Sequence, residues 1–145
     1  MRRYKIPNTL TRIDAAYIAG LVDGEGTITL TRKHRHENRQ LAVTISNTEK
    51  PLLDFVLATV GAGKITRKRV SQAHHTPSFT YAIYNQQALN LLKQIQPYLK
   101  TYKARRATII LLDYVALTPR NGKYTDQTRQ AREAFEAAVL AIKPA

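Results

Sequence analysis

Two carboxylates stand where a helix least favours them. The run AAYIAGLV, made of good helix formers apart from Gly20, leads into DGEG, so Asp23 and Glu25 fall at a helical C-terminal end with Gly24 between them and Gly26 after. Acids stabilise helix N-termini and are disfavoured at C-termini by about 0.3–1 kcal/mol, so helix stability did not select this placement. Carboxylates are hard oxygen donors. Mg²⁺ is bound through one or two of them, with waters and substrate phosphate oxygens completing its shell, and paired metals activate water and stabilise the leaving oxygen in phosphodiester hydrolysis. Taken alone, DGEG is equally an ordinary helix stop with two exposed acids. Gly20 shifts that balance. Inside a helix glycine costs about 1 kcal/mol relative to alanine, and with Ala16 and Asp23 it forms a stripe of small or short side chains along which a second helix can approach closely. Ile18, Leu21 and Val22 point the other way, into the domain's own core. If the partner is the same helix of a second copy, the contact is two-fold and each chain delivers Glu25 to the axis, where divalent cations relieve the repulsion.

The chain as a whole fits a polyanionic partner. It carries 23 Lys plus Arg against 10 Asp plus Glu, a net charge of +13, and 8 Tyr that offer stacking surfaces. Such an excess favours nucleic acid over other partners. With 145 residues, 43% of them hydrophobic, the sequence suffices for one core. No segment approaches the roughly 20 apolar residues of a membrane span, so no membrane partner is expected. Cysteine is absent, which removes disulfides and thiolate metal sites and suits a reducing interior. MRRYKIPNTLTR has no apolar stretch that could serve as a secretion signal. The expected location is intracellular, cytoplasmic or organellar.

The elements that would position the acids follow from periodicity. Residues 1–12 read as a basic, extended N-terminal arm, after which Asp14 caps the first helix. From 27 to 33 the period changes to two, with Ile28 and Leu30 on one face and Thr27, Thr29, Thr31 and Lys33 on the other. HRHENR is a turn, and a second strand follows with Leu41, Val43 and Ile45 inward and Ala42, Thr44 and Ser46 outward. Thr48 caps the next helix, Glu49 sits in its first turn, and Gly61 and Gly63 end it. KITRKRV and SFTYAIY make a second hairpin, joined by SQAHHTP. QQALNLLKQIQ, KARRATIILLDYVAL and DQTRQAREAFEAAVLAI are three further helices, the last with Ala131, Phe135, Ala138, Val139 and Ile142 along one side. The order predicts one α+β domain over 1–145: a four-stranded antiparallel saddle sheet with helices on one face and extra C-terminal helices.

The sheet face left uncovered is chemically distinctive. Alternation puts Thr29, Thr31, Lys33, Thr44, Ser46, Lys64, Thr66 and Lys68 on it, with Arg35 and Gln40 near the hairpin end. Hydroxyls and cations spaced along twisted strands suit phosphate oxygens and base edges, and a β-ribbon fits the major groove. A solvated sheet face is also commonly rich in Thr and Lys, and the net charge decides for groove reading. The His34/His36 and His74/His75 pairs lack further ligands at zinc-like spacing, so DNA contact at hairpin tips or plain solvation is expected of them. Tyr81 and Tyr84 read as core or edge aromatics rather than stacking platforms.

IAGLVDGEG, residues 18–26, is similar to the LAGLIDADG nonapeptide, with Ile18 for the first Leu, Val22 for Ile, Gly24 for Ala and Glu25 for the second Asp. The resemblance to single-motif LAGLIDADG homing endonucleases continues through NTEKPLLDFVLATVGAGKI, the second hairpin and LLKQIQPYLKTYK to the C-terminal helices. It implies the αββαββα fold, a homodimer joined through paired motif helices at Ala16, Gly20 and Asp23, and a saddle over a long pseudo-palindromic duplex. It further implies Mg²⁺-dependent cleavage of both DNA strands, with Mn²⁺ or Ca²⁺ able to occupy the same site, in an intron-encoded protein. Residue by residue, the metal ligand of the family falls on Glu25, assisted by the Gly24 carbonyl. The residue that holds water near the scissile phosphate falls on Glu49, which is equally understood as a helix-start acid. The basic residue that steadies the phosphate charge falls on Lys103, or one step of spacing away on Lys100. Leu53 stands where some relatives carry arginine, a departure that Arg105 or Arg106 could offset. Two other functions are compatible with the same scaffold: an intron RNA-binding maturase, and a DNA-binding regulator without catalysis.

Overall fold

The computed structural model describes residues 5–68 and 76–145, with only the backbone of Lys68. His74, His75 and the Lys68 side chain therefore lie outside the described residues, as does the start of the basic arm. The element order is α1 (Arg12–Glu25), β1 (Gly26–Thr31), β2 (Gln40–Asn47), α2 (Lys50–Val60), β3 (Lys64–Lys68), β4 (Ser78–Tyr84), α3 (Asn85–Ile95), α4 (Lys103–Asp113) and α5 (Asp126–Ala141), with one 3-10 turn at Gln96–Tyr98. The strands form one antiparallel sheet in the order β1-β2-β4-β3.

Alternation explains the layering. Ile28, Leu30, Leu41, Val43, Ile45, Tyr81 and Ile83 point to one side of the sheet and are buried there against Ile18, Val22, Leu53, Val56, Leu92 and Ile110 from the helices. All five helices contribute to this single core, so the opposite sheet face is left to solvent. Tyr81 is fully buried, its hydroxyl donating to the Ala62 carbonyl at 2.7 Å, and burial pushes that phenol well above its ordinary pKa of 10. The same ring explains Gly63, where a Cβ would meet it at 2.7 Å on a backbone with φ 105°. Gly61, at φ 75°, ends α2 in the left-handed conformation, as its place after the apolar run predicts.

Several boundaries differ from the periodicity reading. Thr11, not Asp14, caps α1: its side chain accepts the Asp14 N–H at 3.1 Å, which leaves Asp14 inside the first turn. Asp14 and Thr11 are both good caps, and sequence alone does not rank two candidates one turn apart. Likewise Glu49, not Thr48, occupies the cap position of α2, without a side-chain cap bond, while Pro51 fills the first turn. β1 stops at Thr31, so Lys33, which alternation assigns to the strand, lies with His34 and His36 in the connecting loop. α4 ends at Asp113, four residues before the expected Leu117. On α5 the buried side is Arg132, Phe135, Glu136 and Val139, with Ala131 and Ala138 exposed. The stretch from Lys5 to α1 has no regular secondary structure and is anchored: the Asn8 N–H donates to Val60 O, the Leu10 N–H to Gln94 Oε1, and Gln87 Nε2 to Lys5 O.

Candidate functional site

Glu25 closes α1 and Gly26 turns the chain into β1. Gly26 has an extended backbone, yet a Cβ there would lie 2.5 Å from Thr44 O and 2.9 Å from Val22 Cα, so only glycine lets the helix end press onto the sheet. DGEG is thus not a helix stop at Gly24; the helix runs through both acids and ends at the close approach.

The two acids have opposite fates. The Asp23 carboxylate accepts the Lys100 N–H at 2.7 Å, the Thr101 N–H at 3.2 Å and the Thr101 hydroxyl at 2.6 Å. In return Lys103 Nζ donates to Val22 O at 2.9 Å and Asp23 O at 2.8 Å, carbonyls of the last turn of α1. This clasp puts a cation on the negative end of one helix and an anion beside the start of the next, both favourable to the helix dipoles. Burial raises the Asp23 pKa, but the Thr101 and Lys100 hydrogen bonds and the Lys103 charge outweigh it and hold the carboxyl below its ordinary 3.8. Burial lowers Lys103 below 10.5 against the attraction of Asp23, with Arg106 adding to the decrease. Glu25, by contrast, is exposed and has no hydrogen-bond or ion-pair partner among the described residues. The Gly24 carbonyl lies in the last turn, beyond internal pairing, and no donor reaches it among the described residues.

Glu49 lies at the same end of the sheet, just past β2, whose Ile45 pairs with Gly26. It is exposed, its N–H donates to Asn47 Oδ1, and its carboxylate has no partner among the described residues. Leu53 is fully buried in the core and so contributes nothing at the surface. Arg106, the possible substitute for an arginine there, is committed to the Ile142 and Ile28 carbonyls at 2.9 and 3.0 Å; Arg105 reaches Lys143 O. Lys100 is exposed, its backbone N–H held by Asp23.

The strand register places the open face in rows. Thr27, Thr44, Ala82 and Lys64 lie in one; Thr29, Ala42 and Tyr84 in the next; Thr31 beside Gln40 in a third; and Ser46, Thr80 and Thr66 on the other side. Thr27 and Thr44 share a hydrogen bond of 2.6 Å, Ser46 and Thr80 one of 2.8 Å. Lys64 Nζ sits 6.0 Å from the Tyr84 ring, so Tyr84 belongs to this face while Tyr81 belongs to the core. Thr80 and Tyr84, absent from the sequence-based set, follow from the same alternation once β4 is paired to β2. Lys33 and Arg35 lie off the sheet in the exposed loop 32–39, and Arg35 lines a polar cleft of about 690 Å³ with Arg32, His36, Tyr124 and Arg129.

Along the outer side of α1, Ile13, Ala16, Tyr17, Gly20 and Gly24 are exposed at helical spacing. Ile13 is 81% and Tyr17 49% exposed, and Tyr17 meets Phe55 of α2 edge to face at 5.6 Å. At Gly20 and Gly24 a Cβ would meet nothing within 4 Å. Asp23 is turned away from this strip into its clasp with α4. No group of three or more His, Asp or Glu able to hold a metal occurs among the described residues, the histidines included. Nor is any helix among them long and apolar enough to cross a membrane. The oxygen donors at Glu25 and Gly24 are of the kind Mg²⁺ takes, and their number in one chain leaves most positions to waters, phosphates or a second copy.

A family model described as a LAGLIDADG-like domain matches residues 12–96. No curated protein sequence matches the chain. Among solved structures, the homing endonuclease I-CvuI, in complex with its target in the presence of Ca, superimposes with a TM-score of 0.74 at 17% identity, over 91% of this chain and 83% of that one. The archaeal intron-encoded homing endonuclease I-Vdi141I, complexed with DNA, gives 0.70 at 16% identity, over 90% and 84%. The LAGLIDADG meganuclease I-AabMI, bound to uncleaved DNA, gives 0.64 at 17% identity and is matched over 86% of this chain but 44% of its own.

Proposed function

Because the chain belongs to the LAGLIDADG-like domain family, we propose that it is a homing endonuclease: as a single domain it pairs with a second copy and hydrolyses both strands of a long pseudo-palindromic DNA target with a divalent cation, Mg²⁺ by preference. The observation that carries this reading is Glu25, an acid without a partner among the described residues, at the end of a helix whose outer face carries Ala16 and Gly20 beside the apolar Ile13 and Tyr17. Destabilising charge is retained there although its neighbour Asp23 shows how the fold could have used it.

Pairing supplies what one chain lacks. Two α1 helices meeting along Ala16 and Gly20 bring two Glu25 carboxylates and two Gly24 carbonyls to the axis, a donor set that fits Mg²⁺. I-AabMI supports the pairing, since this chain fills only 44% of its length and leaves room for a second such unit. The cation, when bound, would activate water and stabilise the leaving 3′ oxygen. The chain's own residues do the rest. Lys103 fixes the end of α1, and with two of its three N–H groups on carbonyls keeps one for a phosphate oxygen. Glu49, exposed at the same sheet end, accepts from a water near the scissile bond. The hydroxyls of Thr29, Thr31, Thr44, Ser46 and Thr66, with Gln40 and Lys64, line the major groove, and Lys33 and Arg35 reach outward from the loop toward flanking phosphates. Lys68 continues the β3 row.

The test is Glu25→Gln. Cleavage of duplex drawn from a randomised library should be abolished with Mg²⁺ while DNA affinity stays within about threefold, because phosphate and base contacts, which set affinity, are untouched. A variant that cuts at the wild-type rate would remove Glu25 from the chemistry. A wild-type protein that binds duplex with sequence preference but never cuts would instead indicate a regulator.

A further inference from the structure

β4 ends at Tyr84, and the β2 edge beyond Ala42 loses its strand partner there. The Leu41 N–H donates instead to the hydroxyl of Tyr114, a residue that is 2% exposed, at 3.1 Å. That hydroxyl has one proton, which it donates to Asn85 Oδ1 at 2.7 Å. The Asn85 amide is thereby oriented, oxygen to Tyr114, and its Nδ2 donates to Gln40 Oε1 at 2.9 Å. Side-chain amides are ordinarily ambiguous between two flips. Here the backbone N–H can only donate to the hydroxyl, and only with the Asn85 oxygen toward Tyr114 does the buried hydroxyl proton also find an acceptor, which sets the direction of the Asn85–Gln40 bond. Asn85 holds this position at φ 52°, the one positive φ outside glycine among the described residues, a conformation asparagine tolerates better than most.

Gln40 is left with its oxygen turned to Asn85 and its Nε2, carrying two N–H groups, without an acceptor among the described residues, on the open sheet face. We propose that Gln40 is a specificity-determining residue that presents only donors to DNA and selects guanine, whose adjacent N7 and O6 are both acceptors. An unrestrained glutamine would favour adenine, which needs the amide oxygen as well as the nitrogen. The inference rests on the DNA-reading function proposed above. Gln40 pairs with Thr31 at the far end of β1 from Glu25, and six residues of strand span roughly 20 Å, so the guanine falls about five to six base pairs outward from the end of α1.

Selection of binding sites from a randomised duplex library, without divalent cation so that binding alone is read, tests this in the wild-type protein and in Gln40→Ala, Asn85→Asp and Tyr114→Phe. Wild type should enrich guanine about tenfold at one position in each half-site. Gln40→Ala should lose the preference at that position alone. Asn85→Asp replaces the donor by an acceptor, so Gln40 turns its nitrogen inward and its oxygen outward. Enrichment should then move to adenine or cytosine, whose exocyclic amines donate. The added negative charge lowers affinity for all sequences alike and cannot mimic that exchange. Tyr114→Phe, which frees the amides to flip, should reduce guanine enrichment severalfold, and carries the test if Asn85→Asp does not fold. Adenine selected by the wild type, or guanine kept in both Asn85→Asp and Tyr114→Phe, would overturn the inference while leaving the function intact. A wild type that enriches no sequence at all would overturn the function, and this inference with it.

Discussion

Asp23 and Glu25 are two residues apart on one helix end, and the fold separates them completely. Asp23 holds Lys100 and Thr101 with three hydrogen bonds, while Lys103 returns two to the same helix end. The clasp ties the last turn of α1, which carries Glu25, to the start of α4. Its stability is pH dependent in a defined sense. The folded-state pKa of Asp23 lies below 3.8, so the stabilisation is fully present above that value and is lost as pH falls through the folded pKa. Asp23→Asn should therefore cost about 1 kcal/mol at pH 7 once solvent screening of the partly exposed site is allowed for. The difference from wild type should shrink toward zero in urea unfolding at low pH. A gap that stays constant down to pH 2 would mean the carboxylate charge contributes nothing.

Among the elements, α5 was the least legible in the sequence. Apolar spacing selects Ala131, Phe135, Ala138, Val139 and Ile142, but the core takes Arg132 and Glu136 in place of the two alanines. Arg132 Nε donates to Glu136 Oε2 at 2.9 Å, its NH1 to Leu117 O and Thr118 Oγ1, and its NH2 to Arg39 O, while its guanidinium lies 4.8 Å from the Tyr114 ring. The Arg39 N–H donates to the same carboxylate. A buried ion pair thus ties α5 to the base of the β1–β2 loop that carries Lys33 and Arg35. Removing one partner strands the other, so Arg132→Met should destabilise by about 3–5 kcal/mol, and replacing both Arg132 and Glu136 with apolar residues should recover much of that, as chemical denaturation would show. Equal losses in the single and double variants would contradict an ion pair at the centre of the network. Hydrophobic periodicity cannot see such a pair, because it scores charge as surface. It succeeds where the pattern and the burial coincide: the strands alternate, and the hydroxyl face of Thr29, Thr31, Thr44 and Ser46 emerges as expected. The clasp and the Tyr114–Asn85–Gln40 relay join residues far apart in the chain, about which local spacing is silent. Helix caps fall between these cases, since Thr11 and Asp14 are both residues that can cap, and the one the fold uses, Thr11, accepts the Asp14 N–H.

At the scale of the molecule, the proposed nuclease would be incomplete as a single chain. It has one unpaired carboxylate at the end of α1, and no cluster of metal ligands among its described residues. The strip that would complete it is the outer face of α1, where Ile13 and Tyr17 are exposed and Gly20 leaves open space. Gly20 separates folding from pairing because of that space. A Cβ added there meets nothing within 4 Å among the described residues, and replacing glycine in a helix interior gains about 1 kcal/mol of helix propensity with alanine and nearly as much with leucine. Gly20→Leu should therefore melt no lower than wild type at dilution, yet fill the close approach between two helices and leave a monomer in light scattering. Cleavage, needing Glu25 from both copies, should fall with the dimer population, while binding to an isolated half-site should persist. A Gly20→Leu protein that still scatters as a dimer would show that α1 is not the contact. One that unfolds would show that the open space at Gly20 is filled in solution by its own chain.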